Sequence, residues 1–283
     1  MAAPPNATLR ARWLGKILRE LREENSLTLK EASDHIRRST ATLSRYESGI
    51  LPSPSNEVVE LMNLYGVGEA SQRALILRLA EEIAKTGWWE RYHKDVYSST
   101  FDWVWLESQA ERLRVFNPSV LPGLLQTSDY AERLIRIDDP TVPEQQIERW
   151  VSVRMARQEV LARDSLSATF VIDEAALRRP VGGAFAMRRQ LSHMIEVGRR
   201  DQIDLRVLPF VAGEYPGPKG TFMLVKMPDP FPEVVAIDSA AGNIFLEADD
   251  VREFANAYER LHQACLDAEE SRAFMMHIEK ELS

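Results

Sequence analysis

Residues 27–49, LTLKEASDHIRRSTATLSRYESG, constrain the fold of this chain more than any other segment. Thr28 and Glu31 have the spacing of a capping box, in which the hydroxyl accepts a first-turn N–H and the carboxylate reaches back to the cap. Ser39 is suited to cap a second, shorter helix that stops before Gly49. The segment therefore predicts two short helices joined by a tight turn.

Apolar spacing predicts three further helices around this pair. Before the segment, apolar residues from Leu14 to Leu21 recur at i, i+3, i+4 and i+7, which is one face of a helix. After it, Pro54 favours the start of a fourth helix, since proline is tolerated at the first helical position. A fifth apolar pattern ends near Gly87. We expect residues 1–87 to form a five-helix bundle.

Composition indicates a globular chain of two domains. The chain has 283 residues, of which 45% are hydrophobic and 28% charged, which is enough apolar material for sizeable cores. Its one cysteine, Cys265, cannot form an internal disulfide, as is typical of a reducing cytoplasm. No window reaches the ~20 apolar residues of a membrane helix. We therefore expect a cytoplasmic protein without membrane contact.

Charge is divided unevenly along the chain, whose net charge is −8. Residues 1–85 carry 12 basic and 11 acidic side chains, so their net charge is +1. The remaining residues carry 23 basic and 32 acidic side chains, a net charge of −9. Binding of a polyanion by residues 1–85 would therefore depend on where the charges lie and not on their sum.

The second helix of the pair is predicted to have one buried face and one polar face. Leu43 and Tyr46, three residues apart, would bury it, and the small side chain of Ala32 would let the two helices approach closely. The opposite face carries small or polar residues: Thr40, Ala41, Ser44 and Arg45. Side chains this short would allow the helix to enter a DNA major groove, which is ~12 Å wide.

These features resemble the lambda-repressor/Cro-like (XRE-type) helix-turn-helix family. The resemblance covers residues 10–67 and rests on features at matching offsets: the capped second helix, Ala32, Leu43, Glu47-Ser48-Gly49 and Pro54. It implies a sequence-specific DNA-binding transcriptional regulator. The recognition helix, residues 39–47, would lie in the major groove.

The resemblance also implies roles for individual residues. Four residues of the recognition helix would face base edges: Thr40, Ala41, Ser44 and Arg45. Six residues at helix starts and in the turn would approach phosphates: Thr28, Lys30, Arg37, Arg38, Ser39 and Thr42. Glu47 corresponds to a structural position that pairs with an arginine of the first helix, for which Arg19 and Arg22 are the candidates.

An aromatic-rich stretch, residues 88–105, separates the bundle from the rest of the chain. It contains four tryptophans and three other aromatic residues: Trp88, Trp89, Trp103, Trp105, Tyr92, Tyr97 and Phe101. Stacking on bases is one interpretation, but Arg91 and Lys94 are the only Lys or Arg residues of the stretch. Packing at a domain junction or a subunit interface is favoured.

Residues 106–283 predict a mixed regulatory or interaction domain. Helical patterns occupy 106–114, 128–136, 143–163, 185–200, 249–264 and 267–282. Strand-like runs occupy 168–172, 205–208, 221–225, 234–237 and 243–246. Because the last four strands have no long helices between them, we expect a small antiparallel or mixed sheet packed by several helices. The fold class is α+β.

Two segments of this domain, LESQAERLRVFNPSVLPGLLQTSDYAERLI and VLPFVAGEYPGPKGTFMLV, are similar to the C-terminal domain of actinobacterial XRE-type regulators. The similarity implies a small regulatory protein as a partner, because such regulators often sit beside a gene for one. One recognition helix covers only a few base pairs, so we expect a homodimer on a pseudo-palindromic operator in double-stranded DNA. The dimer contacts would lie beyond residue 85, and the protein would be associated with the nucleoid.

No catalytic, metal or cofactor site is expected. The run 213–221, GEYPGPKGT, lacks the Gly-Lys-Ser/Thr that opens a helix in a phosphate loop. Asp173-Glu174 lie at a strand–helix junction, where acidic residues favour the helix start. The histidines show no metal-ligand spacing.

Two functions remain open for the C-terminal domain: dimerisation with binding of a small protein, or sensing of a small molecule. Residues 122–127, PGLLQT, are interpreted as a turn into a helix, with a ligand loop as the alternative.

Overall fold

The computed structural model describes the chain in five ranges: residues 7–84, 98–215, 220–229, 231–239 and 242–282. These residues form two compact units. The first contains residues 7–84 and 98–102, and the second contains the described residues from Trp103 onward.

The first unit contains the predicted five-helix bundle. Its helices are α1 (Leu9–Glu24), α2 (Leu29–His35), α3 (Thr40–Glu47), α4 (Ser55–Leu64) and α5 (Ala70–Ala84). Six of its largest fully buried side chains are Leu9, Leu14, Leu18, Leu43, Leu61 and Met62. The predicted end of the fifth helix near Gly87 lies outside the described residues.

Local hydrogen bonds set the helix ends. The Thr28 hydroxyl accepts from Glu31 N at 3.2 Å, and Thr28 N donates to the Glu31 carboxylate at 2.8 Å, so the predicted capping box is present. Ser39 caps α3 by accepting from Thr42 N at 3.1 Å. Pro54 is the cap of α4 and not its first residue, because its backbone is extended.

The second unit is built around a six-stranded mixed sheet. Its strands are β1 (Arg112–Asn117), β2 (Ser167–Asp173), β3 (Ile203–Leu208), β4 (Phe222–Lys226), β5 (Val234–Ile237) and β6 (Ile244–Leu246). The strand order is β3-β2-β1-β4-β5-β6. The β1–β2 and β2–β3 pairs are parallel, and the other three pairs are antiparallel. The expected α+β fold with a mixed sheet is confirmed.

Helices α9 (Glu174–Arg178), α11 (Asp249–Gln263) and α12 (Ala268–Glu281) pack against this sheet. The other helices are α6 (Ser98–Gln109), which begins in the first unit, α7 (Ser128–Asp138), α8 (Glu144–Arg157) and α10 (Gly183–Val197), which packs on α12. On one side, Phe116, Phe222 and Val235 of the sheet form a core with Tyr258 and Leu261 of α11. Burial of these large apolar side chains is the main force that holds the layers together.

The prediction of a helix over 106–114 is wrong in its second half. Helix α6 ends at Gln109, and residues 112–117 form a central strand that the sequence patterns did not indicate. Arg112 and Arg114 within this run obscure the strand pattern. The strand forms because β2 and β4 satisfy its backbone on both sides, which overrides local propensity.

Part of the aromatic-rich stretch, Trp88, Trp89, Tyr92 and Tyr97, lies outside the described residues. Phe101 and Trp105 are 5% and 1% exposed. Trp105 contacts Phe231 edge to face at 5.6 Å between ring centroids. Phe101 and Trp105 therefore pack in the protein interior and are not available for stacking on bases. Across the described ranges, no helix has both the length and the apolar character that crossing a bilayer requires.

Candidate nucleic-acid interface

Helix α3 lies so close to α1 that one position has no room for a side chain. A Cβ atom on Gly15 would lie 2.5 Å from Tyr46 O and 2.6 Å from Glu47 O. Leu43 and Tyr46 are 0% and 4% exposed, as expected from their spacing. The sequence patterns did not indicate Gly15, although a glycine inside a helical stripe is a signal of close packing.

A buried ion pair fixes the end of α3. Arg22 Nε and Nη2 donate to the two carboxylate oxygens of Glu47 at 2.6 and 2.9 Å, and both side chains are less than 10% exposed. Arg22 Nη1 also donates to Leu27 O at 2.9 Å, so the same guanidinium holds the start of α2. The hydrogen bonds to Glu47 raise the pKa of Arg22 above its ordinary value. Of the two candidates, Arg22 is the partner of Glu47, whereas Arg19 bonds to Glu23.

The face of α3 opposite Leu43 is exposed. It presents the four residues predicted to face base edges: Thr40, Ala41, Ser44 and Arg45. Within the described residues, the Arg45 side chain makes no hydrogen bond or ion pair, and its guanidinium is therefore available to a ligand. Lys30 is likewise exposed, with no side-chain partner among the residues described.

The turn between α2 and α3 has a left-handed residue, Arg37, whose φ is 53°. Arg37 N donates to Asp34 O at 3.1 Å and Arg38 N to Ser33 O at 2.9 Å, which is the hydrogen-bond pattern of a Schellman motif. Glycine adopts this conformation at lower cost than arginine. An arginine at this position therefore lowers the folding stability somewhat, while it places a cation on the surface.

Arg38 differs from the other cations of this surface because it already has a partner. Its Nε and Nη2 atoms donate to Glu57 Oε1 at 3.0 and 2.5 Å, and Glu57 is 6% exposed. This hydrogen bonding raises the pKa of Arg38. Its charge is thus partly neutralised by the protein before any phosphate approaches.

The three hydroxyl residues predicted to approach phosphates form hydrogen bonds at the starts of α2 and α3. Ser39 Oγ lies 2.9 Å from Thr42 Oγ1, and Thr28 Oγ1 donates to Glu31 Oε2 at 2.7 Å. These hydroxyls organise the first turns of α2 and α3. The free backbone N–H groups at the start of α3 are suited to an anion, whereas the Glu31 carboxylate already lies at the start of α2.

A groove of about 500 Å³ lies beside the turn. Its lining residues come from the end of α2, the turn and the first turns of α4: His35, Ile36, Arg37, Arg38, Asn56, Glu57 and Glu60. The groove brings Arg37 and Arg38 together with Asn56, which the sequence patterns did not single out. Its only sequence signal was its place in the first turn after Pro54.

Two protein families match this chain. Residues 13–75 match the family described as "Helix-turn-helix domain", and this range includes all ten residues predicted to contact DNA. Residues 101–277, more than half of the chain, match the family described as "Domain of unknown function (DUF5753)". No curated protein and no solved structure matches the chain.

Proposed function

Because this chain belongs to the family of domains of unknown function DUF5753 and carries a helix-turn-helix domain, we propose that it is a sequence-specific DNA-binding transcriptional regulator. The observation that carries this proposal is the geometry of α3. One face is buried through Leu43 and Tyr46, whereas the other presents short polar side chains and the unpartnered Arg45.

In this proposal α3 enters the major groove, as in XRE-type regulators. Arg45 binds a guanine through two donors, which is the commonest specific contact of an arginine with a base edge. Thr40, Ala41 and Ser44 contact neighbouring base edges. Lys30 and Arg37 are exposed cations beside α3, and they neutralise phosphates.

The assembly is a homodimer on a pseudo-palindromic operator. Two recognition helices would lie one helical turn, ~34 Å, apart. The second unit provides the dimer contacts and binds a small regulatory protein, as the similarity to actinobacterial regulators implies. The protein acts in the cytoplasm at the nucleoid, through binding and not through catalysis.

Selection of DNA from a random pool by the full chain tests this proposal. We expect enrichment of an inverted repeat, and a footprint that covers two successive major grooves on one side of the duplex. Arg45→Ala should relax one position of each half-site. Lys16→Ala removes an exposed cation from α1 and serves as the control, which should keep the same motif. Absence of enrichment, or an identical motif with Arg45→Ala, would contradict the proposal.

A second function of the DUF5753 unit, sensing of a small molecule, is favoured by one observation. Helix α8 carries a half-buried arginine, Arg154, that lacks a carboxylate partner in the described part of the chain. Its surroundings indicate the chemistry of the ligand.

A further inference from the structure

Four strands of the second unit end at the same edge of the sheet. β1, β2 and β3 are parallel and end at Asn117, Asp173 and Leu208. β5 runs in the same direction as β1, because both are antiparallel to β4, and Asp238 follows its last residue. In sheets with parallel strands, ligands commonly bind outside the carboxyl ends of the strands.

The loop after β1 is held rigidly by side-chain amides. Gln158 Nε2 donates to Gly123 O at 3.0 Å and to Gln126 O at 2.6 Å. Gln190, which is fully buried, donates to Leu125 O and accepts from Thr127 N, both at 2.6 Å. These four hydrogen bonds hold the backbone of residues 122–127 in one conformation.

Arg157 of α8 is fully paired. Its Nε and Nη2 donate to the two oxygens of Glu107 at 2.9 and 2.7 Å, and Trp103 Nε1 donates to the same carboxylate at 2.8 Å. Burial lowers the pKa of Arg157, but attraction from Glu107 outweighs it and the pKa lies above its ordinary value. Glu107 is 2% exposed and its acceptor sites are occupied.

Arg154 lies one turn earlier, on the same face of α8, and is not paired. Its side chain makes a single hydrogen bond, from Nη1 to the neutral Gln126 Oε1 at 2.9 Å. No carboxylate of the described residues lies within 4.0 Å of it. Burial, and then repulsion from Arg157, lower the pKa of Arg154 to about 10. Asp238, Asp138 and Glu107 attract the charge without compensating it.

We propose that Arg154, positioned by Gln126 at the carboxyl edge of the sheet, binds the carboxylate or phosphate group of a small molecule. The remaining guanidinium donors fit an oxyanion, which accepts two parallel N–H bonds. Binding also gives this half-buried cation the counter-charge that the described residues do not supply.

This inference concerns the second unit alone and holds whether or not the first unit binds DNA. It is tested on the full chain by thermal unfolding and calorimetric titration. Inorganic phosphate and citrate are the two probes, and they distinguish a phosphate from a carboxylate ligand. Sodium chloride at matched ionic strength corrects for general screening.

The deciding variants are Arg154→Gln and Arg154→Met, which remove the charge while keeping a side chain of comparable length. The control is Arg149→Gln, at an exposed position of the same helix. We expect at least one probe to raise the Tm of the wild type beyond the effect of chloride. The affinity for that probe should fall about ten-fold or more in the Arg154 variants, because a charge-assisted hydrogen bond is lost. It should be unchanged in Arg149→Gln.

Three outcomes would overturn the proposal. One is that neither phosphate nor citrate stabilises the wild type beyond chloride. Another is that the Arg154 variants bind the probe as tightly as the wild type, or that Arg149→Gln weakens binding equally. The third is that neither neutral variant folds, which would make Arg154 a structural residue.

Discussion

Each unit of this protein contains a buried arginine–glutamate pair, and each leaves other cations unpaired, but in different places. In the first unit, Arg22 pairs with Glu47 and the unpartnered Arg45 lies on the surface. In the second unit, Arg157 pairs with Glu107, and the half-buried Arg154 has no carboxylate partner among the described residues. A cation exposed on a helix can reach a polyanion as large as DNA, whereas a half-buried cation favours a smaller anion. The location of the unpaired charge thus indicates the size of the ligand.

We expect the largest loss of stability when the buried ion pair between Arg22 and Glu47 is broken. Glu47→Ala removes the buried counter-charge of Arg22 and leaves it only the exposed carboxylate of Glu23 at 3.3 Å, so we expect a loss of about 3 kcal/mol. Urea unfolding of the full chain, monitored by a probe of the first unit, measures this loss. Glu20→Ala removes the exposed partner of Lys16 and should change stability little. Equal effects of the two substitutions would mean that the Arg22–Glu47 pair does not hold α3.

The first unit also contains a buried carboxylate, Asp102, that pairs with no arginine of the described ranges. Among these residues its one hydrogen bond comes from Leu9 N at 2.7 Å, and burial raises its pKa to about 6. The folded state therefore holds the proton more tightly than the unfolded state, in which an aspartate titrates near 3.9. The contribution of Asp102 to the free energy of unfolding therefore falls as the pH rises from about 4 to 6. Above pH 6 the destabilisation by the ionised carboxylate is constant.

Asp102→Asn keeps an acceptor for Leu9 N and removes this cost. We expect it to stabilise the protein at pH 7 by about 3 kcal/mol, with no gain at pH 3.5, below both pKa values. Unfolding by urea across this pH range measures the difference between the two proteins. A constant difference at all pH values would show that Asp102 does not titrate as proposed.

Arg45 should affect discrimination between sequences more than general affinity. Arg45→Ala is expected to cost about 1–3 kcal/mol on the operator and to relax one base position. Lys30→Ala should weaken operator and random DNA alike and reduce the slope of log affinity against log salt by about 1. Titrations of both duplexes across a salt series distinguish the two patterns. If Arg45→Ala weakened both duplexes alike and Lys30→Ala relaxed a base position, α3 would lie in the groove in a different orientation.

Substitution of Arg38 tests whether an ion pair within the protein keeps an arginine from neutralising a DNA phosphate. Because Glu57 already neutralises it, we expect Arg38→Ala to change the salt slope less than Lys30→Ala does. Glu57→Gln should free the guanidinium and strengthen binding to random DNA. A salt slope that falls by about 1 with Arg38→Ala would show that phosphate displaces Glu57.

The smallest effect is expected at the turn. Arg37→Gly relieves the left-handed backbone but increases the freedom of the unfolded chain, so the net stabilisation should be at most about 1 kcal/mol. It should also weaken binding to random DNA, since a cation is lost. Thermal unfolding and a salt titration measure the two effects together. A loss of stability would mean that the Arg37 side chain contributes packing.

Much of the first unit could be predicted from sequence because its signals are local. The capping box of Thr28 and Glu31 and the Ser39 cap act across three residues. The two faces of α3 follow from the spacing of Leu43 and Tyr46. In the second unit, β-branched runs bounded by Gly, Pro and Asp predicted five of the six strands.

The sequence by itself determined which segments of the first unit form helices and which face of α3 is exposed, because caps and apolar spacing are encoded within a few neighbouring residues. The tertiary structure alone decided that residues 112–117 form a strand and that Glu47 binds Arg22 and not Arg19. It also decided that Glu57 pairs with Arg38 and that Arg154 bonds to Gln126 and to no carboxylate of the described residues. These outcomes depend on groups 19 or more residues apart, and only the packing of helices and strands brings such groups within hydrogen-bond distance.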